Sequence, residues 1–114
     1  MAKSAATWEG RRALTDNPST SQDNYRSAAR QLMDMGLLSE AALFFARAED
    51  DEGLMAIIEQ AMAEGNFFVF QAAASRLKNR EVGRDQVQSL LAAAEKNGRL
   101  LYAEKATAWL NENR

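Results

Sequence analysis

Histidine and cysteine are both missing from this 114-residue chain. Without histidine the commonest general base and the commonest metal-ligating nitrogen are gone. Without cysteine there are no disulfides, thiolate metal sites or thiol nucleophiles, and a reducing cytosol is the compartment that fits best. No apolar run approaches the ~18 residues that span a bilayer, and the opening "MAKSAATWEGRRALT" lacks the apolar middle of a signal peptide. These features predict a cytoplasmic protein with no membrane partner. Fourteen basic and 16 acidic residues leave a net charge of −2 with no basic block, so bulk electrostatics disfavour a nucleic-acid partner. Proline occurs once, as Pro18, inside the polar stretch "TDNPSTSQD", which reads as a linker. Residues 1–21 are therefore expected to be a flexible N-terminal segment, or one short helix using Trp8, Ala13 and Leu14 that docks on the body.

From Asp23 onward the chain is proline-free and rich in Ala, Leu, Met, Glu and Gln, which favours helix throughout. Gly36, Gly65 and Gly98 punctuate this region at intervals of 29 and 33 residues, each where one apolar periodicity stops and another starts, as helix-terminating glycines do. Counting back 11, 8, 7 and 4 residues from each glycine gives Tyr25, Ala28, Ala29, Leu32, then Leu54, Ile57, Ile58, Ala61, then Val87, Leu90, Leu91, Ala94. All are apolar, and the spacing makes one helical stripe. Counting forward 5, 9 and 12 gives Ala41, Phe45, Ala48, then Phe70, Ala74, Leu77, then Ala103, Thr107, Leu110, apolar at every place but Thr107. Three helix–turn–helix units follow, at about 22–50, 51–83 and 84–112, forming one helical-repeat domain over 22–114. The stretch "GLLSEAALFFARAED" explains itself in this frame, because small residues at a helix crossing with a bulky one beside them let two helices approach closely. The middle unit's second helix, "FFVFQAAASRL", is apolar nearly all round, as a helix packed on both sides should be.

At these residues the sequence resembles the tetratricopeptide-repeat superfamily. "GLLSEAALFFARAED" is similar to that family's second helix, and the first helices carry its apolar slots in register. The chain departs from the family pattern where Tyr25, Leu54 and Val87 fill the slot usually held by Trp, where bulky Ile58 and Leu91 fill a small-residue slot, and in lacking the terminal proline. Helical hairpins of the clathrin or HEAT kind fit the same periodicity. The resemblance implies an all-α, right-handed array of three hairpins, a short α-solenoid. It also implies a non-catalytic protein–protein interaction module that binds a peptide or helix along a groove lined by the first helix of each repeat.

Carried over by register, that groove would show Arg26, Arg30 and Met33 with Asp23, then Met55, Glu59 and Met62 with Glu52, then Gln88 with Asp85, Ala92 and Glu95. The three methionines would suit an apolar partner face because thioether side chains re-pack easily; alternatively they only widen the core stripe. Arg26 and Arg30, one turn apart, could clamp a carboxylate, though an Arg30–Glu59 ion pair between units is the plainer expectation. In "EDDEG", Asp50 or Asp51 is expected to cap the next helix rather than collect a hard cation. "RLKNREVGR" is locally basic, and a weak single-stranded RNA binder is one reading; a helix end followed by a solvated loop is the other. Glu59 and Glu64 have nothing to set them apart as catalytic acids, so neither an enzyme nor a cofactor or metal site is expected. In the last unit Leu100, Ala103, Thr107 and Leu110 should face inward, leaving Leu101 and Trp109 off the stripe as a self-association patch for a homodimer. The competing expectations are that the N-terminal segment covers that patch, or that the helix tilts.

Overall fold

The structure is a computed structural model that describes residues 21–113. Within them the chain is helical, with no strand, in the order α1 (Gln22–Asp34), α2 (Leu38–Arg47), α3 (Asp51–Glu64), α4 (Phe67–Ala74), α5 (Arg84–Lys96) and α6 (Leu100–Glu112). Residues 1–20, including Trp8, Ala13 and Leu14, lie outside the described residues. None of the helices is long and apolar enough to cross a membrane.

Local chemistry sets the helix ends. Ser21 Oγ accepts the Asn24 N–H at 3.2 Å, Asp50 accepts that of Gly53 at 3.1 Å and Asn66 that of Val69 at 3.2 Å. These are side-chain caps on the otherwise unsatisfied first turns of α1, α3 and α4. At α5 the bond runs the other way, from the Gly83 N–H to the Gln86 side chain at 2.9 Å. The C-termini of α1, α3 and α5 close alike. The residue after each glycine donates back to the carbonyl four residues before it: Leu37 to Leu32 at 2.9 Å, Asn66 to Ala61 at 2.9 Å, and Arg99 to Ala94 at 2.8 Å. This closure needs a left-handed residue, and Gly65 supplies it at φ 68°. The same bond links Asp50 N–H to the Phe45 carbonyl at 3.0 Å, and there the left-handed residue is Glu49, at φ 55°.

The helices pair in chain order, α1 with α2, α3 with α4 and α5 with α6. Neighbouring pairs touch through α3 and α4 on α2, α5 on α3, and α6 on α4, over an envelope of 47 × 28 × 17 Å. One continuous core runs through all six helices. Of the twelve apolar positions counted back from the glycines, ten are buried and Tyr25 and Leu91 are half-buried. In α2, Ala41, Ala42, Phe44 and Phe45 are all buried, with Phe44 stacked on Tyr25 at 6.0 Å between ring centroids. No polar or charged residue among those described is buried, so apolar packing carries the interior. Truncating Leu32, Ile57 or Ile58 to alanine would each cost about 2–5 kcal/mol.

Two expectations are corrected. The middle unit's second helix stops at Ala74, so Leu77 lies half-buried beyond it. The reason is polar: Arg76 turns its guanidinium back to the Ala72 carbonyl at 2.7 Å, and the following N–H groups are drawn to Asp51. In α6 the buried residues are Ala106 and Leu110, while Leu100 is 73% exposed and Thr107 is also exposed. Trp109 sets that rotation, packing edge-on against Phe70 with centroids 6.5 Å apart.

Gly53 sits in the first turn of α3, and a Cβ built there would overlap the buried Phe45 ring. On propensity alone alanine should stabilise a helix by about 1 kcal/mol over glycine, whereas overpacking costs about 1–3 kcal/mol. Gly53→Ala is expected to lower the urea midpoint, and Phe45→Leu in the same chain should remove most of the penalty. A raised midpoint in the single variant would show that α3 does not press on Phe45.

Candidate functional site

The first-helix residues divide by exposure. Met33, Met55 and Met62 are half-buried and packed against the core, while Arg30, Glu59 and Gln88 are exposed. Arg26 is half-buried and engaged: its guanidinium donates to Asp23 at 2.9 Å and to Asp50 at 3.1 Å. Asp50 therefore works twice, one oxygen capping α3 and the other holding α1. The expected Arg30–Glu59 ion pair is absent among the described residues, because it is the turn before α3, not the middle of α3, that meets α1. Arg26 and Arg30 accordingly do not converge as a clamp.

The basic stretch after α4 is a structural staple. Lys78 pairs with Glu49 at 2.8 Å and Arg80 with Glu52 at 3.9 Å. Arg84 reaches across to the far end of α6 and donates to the Leu110 carbonyl at 2.6 Å and the Asn113 carbonyl at 2.8 Å. Cations at a helix C-terminus satisfy its orphan carbonyls. With Arg76 on the Ala72 carbonyl, every cation from 76 to 84 has a partner within the chain. Asp51 completes the staple: its two oxygens accept the Lys78 N–H at 3.1 Å and the Asn79 N–H at 2.8 Å. Nothing in the sequence spacing marked this contact, which joins residues 27 and 28 apart. The Asn79 bond first, then that of Lys78, holds the Asp51 carboxyl below its ordinary 3.8. Glu49 is likewise held low, chiefly by its hydrogen bond from Lys78.

Open apolar surface lies around α6. A groove of about 500 Å³ runs between α5 and α6, floored by Leu91, Leu100, Ala103 and Ala108 and edged by Glu95 and Glu104. A smaller one of about 280 Å³ lies on the other side, between α4 and α6. There Leu101, 63% exposed, and half-buried Trp109 sit beside Phe67 and Lys105. Trp109 thus belongs partly to the core, and of the expected self-association patch Leu101 is the freely exposed member.

The larger groove has two internal counterparts. Counted from the glycines at −7, +2, +5 and +9, the first pair offers Ala29, Leu38, Ala41 and Phe45, all buried. The second offers Ile58, Phe67 and Phe70, buried, and Ala74, half-buried. The third offers Leu91 and Ala103, half-buried, with Leu100 and Thr107 exposed. The periodicity contained this surface: Leu91, Ala103 and Thr107 were read as inward positions, and they open because no further helix pair lies over them among the described residues.

No protein-family model, curated protein or solved structure matches the chain, so the surface itself carries the functional reading.

Asp51 gives a pH-dependent test of the staple. A carboxyl whose folded value is lowered contributes stability that is present above its unfolded value and is lost as pH falls through the folded one. Asp51→Asn is expected to lower the urea midpoint at neutral pH, with the gap to the parent chain closing as pH falls below 3.8. A gap that stays constant to the acid limit would mean that the Asp51 charge does not hold the 78–79 turn.

Proposed function

We propose that this chain is a protein–protein interaction module, a right-handed array of three tetratricopeptide-like hairpins that receives a helix or peptide. A cytoplasmic, non-catalytic role fits a sequence lacking histidine and cysteine. The observation that supports the reading best is the α5–α6 groove. Three of its floor residues, Leu91, Leu100 and Ala103, occupy positions that the first two helix pairs bury, so it is shaped by the same periodicity that elsewhere in the chain accepts neighbouring helices. An exposed, contiguous apolar surface of this kind marks contact sites in soluble proteins, and a helix laid in a groove is a standard mode of recognition.

The first-helix groove remains the route that the family resemblance implies, with Arg30, Glu59 and Gln88 as its exposed residues. Its methionines give less apolar surface than their number suggested, since all three lean on the core. Self-association is the second reading, supported by Leu101, 63% exposed beside Trp109.

Crosslinking of the full chain to captured partners, followed by mass spectrometry, separates these surfaces. Crosslinks are expected at Lys96, which ends α5 next to Glu95 of the groove, and capture should fall at least fivefold with Leu100→Glu while surviving Arg30→Glu and Glu59→Lys. Capture lost only with the first-helix variants would move the site to that groove. In sedimentation at tens of micromolar, a monomer unchanged by Leu101→Lys would remove the self-association reading.

A further inference from the structure

We infer that the α5–α6 groove takes an amphipathic helix of another protein, one whose aliphatic stripe is flanked by lysine or arginine. The inference rests on the interaction reading above and adds the partner's chemistry.

The stripe follows from what fills the equivalent internal positions. On the first pair lie α3 and α4, both against α2, with Leu54, Ile57, Ile58 and Ala61 of α3 buried and Gly53 against the Phe45 ring; on the second lie α5, against α3 with Val87, Leu90 and Ala94 buried, and α6, against α4 with Trp109 on Phe70. The leading helix of each incoming pair, α3 or α5, presents apolar side chains at intervals of three and four, which is one face of a helix. A third groove of the same register asks for a third such face.

The charge follows from a substitution within the repeat. At the positions −3 and +6 from each glycine, the first pair has Met33 and Ala42 and the second Met62 and Gln71, all uncharged. The third has Glu95 and Glu104, which edge the open groove and make no ion pair within the described residues. An occupant without cations would leave two carboxylates beside an apolar contact with nothing to offset their lost hydration, whereas a flanking lysine or arginine supplies charge-assisted partners. The same carboxylates argue against a second copy docking by this face, since each copy would bring Glu95 and Glu104 to the contact and the groove lining holds no lysine or arginine to pair with them. Residues 1–20 match that face less well: their apolar positions at intervals of four and three are Met1, Ala5 and Trp8, with no Leu, Ile or Val among them, against Leu54, Ile57, Ile58 and Ala61 in α3.

The test uses the full chain and fluorescein-labelled helical peptides read by anisotropy. One peptide carries the stripe of α3 with flanking lysines, a second the same stripe with glutamates in their place, and a third the lysines with the stripe scrambled. The first should bind, weaken with added salt and beat the other two by at least tenfold. Glu95→Lys with Glu104→Lys should cost it about tenfold and favour the glutamate peptide instead, while Leu100→Glu should abolish binding of all three. Lysine and glutamate peptides binding equally well would overturn the cationic partner and leave the interaction module standing. Failure of every peptide, with crosslinks mapping away from the α5–α6 groove, would overturn both. A dimer dispersed by Leu100→Glu would name a second copy as the occupant, and a tenfold gain in peptide affinity on Trp8→Ala would name residues 1–20. Either result defeats the proposal.

Discussion

Two glycines with no room for a β-carbon decide how closely the helices of this chain approach. Gly53 lies under the Phe45 ring, and Gly65 lies against the backbone of α5 at Ala94. Gly65 carries two constraints at once, since its left-handed conformation also closes α3. Ala28, Ala29, Ala41, Ala42 and Ala94 are almost wholly buried, and where Gly65 meets Ala94 the contact is nearly backbone to backbone. Helices held that close exclude water without large side chains, and so a chain this short keeps a continuous core.

Beyond the core, the junctions are made differently from each other. The first is short and tight, with Glu49 left-handed and Asp50 bridging α3 to Arg26. The second has a longer connection, residues 75–83, laid down by Asp51 and by ion pairs to Glu49 and Glu52. Arg84 then ties the beginning of the last helix pair to its end. The exposed ion pairs contribute little individually, so the direct contacts of α5 on α3 and α6 on α4 must dominate that junction.

Most of the interior was legible in the sequence because helical periodicity reports a single physical fact, which face meets the neighbour. The stripes of α1, α3 and α5 came out as read, and so did the Asp50 cap. The misreadings have a common origin. Counting identical positions from each glycine assumes that every unit meets identical surroundings, and α6 does not. Its rotation follows Trp109 onto Phe70, a contact between units that local spacing does not encode. The Asp51 staple was hidden for the same reason, being a carboxylate matched to backbone N–H groups that carry no side-chain signature. The first-helix groove was drawn from register alone, and the half-burial of its methionines is a matter of neighbouring volume, which register does not report.

The thin attachment of α6 has an energetic meaning of its own. A helix held by two buried side chains, Ala106 and Leu110, and by half-buried Tyr102 and Trp109, fewer buried residues than any other described helix contributes, should open at a lower free energy than the helices behind it. Amide exchange should therefore rise toward the C-terminal end of the fold rather than evenly across it. Any molecule that seats beside α6 would bind the closed form alone, and linkage would convert its affinity into protection of that terminal turn. At α6 occupancy and local order would then be the same variable.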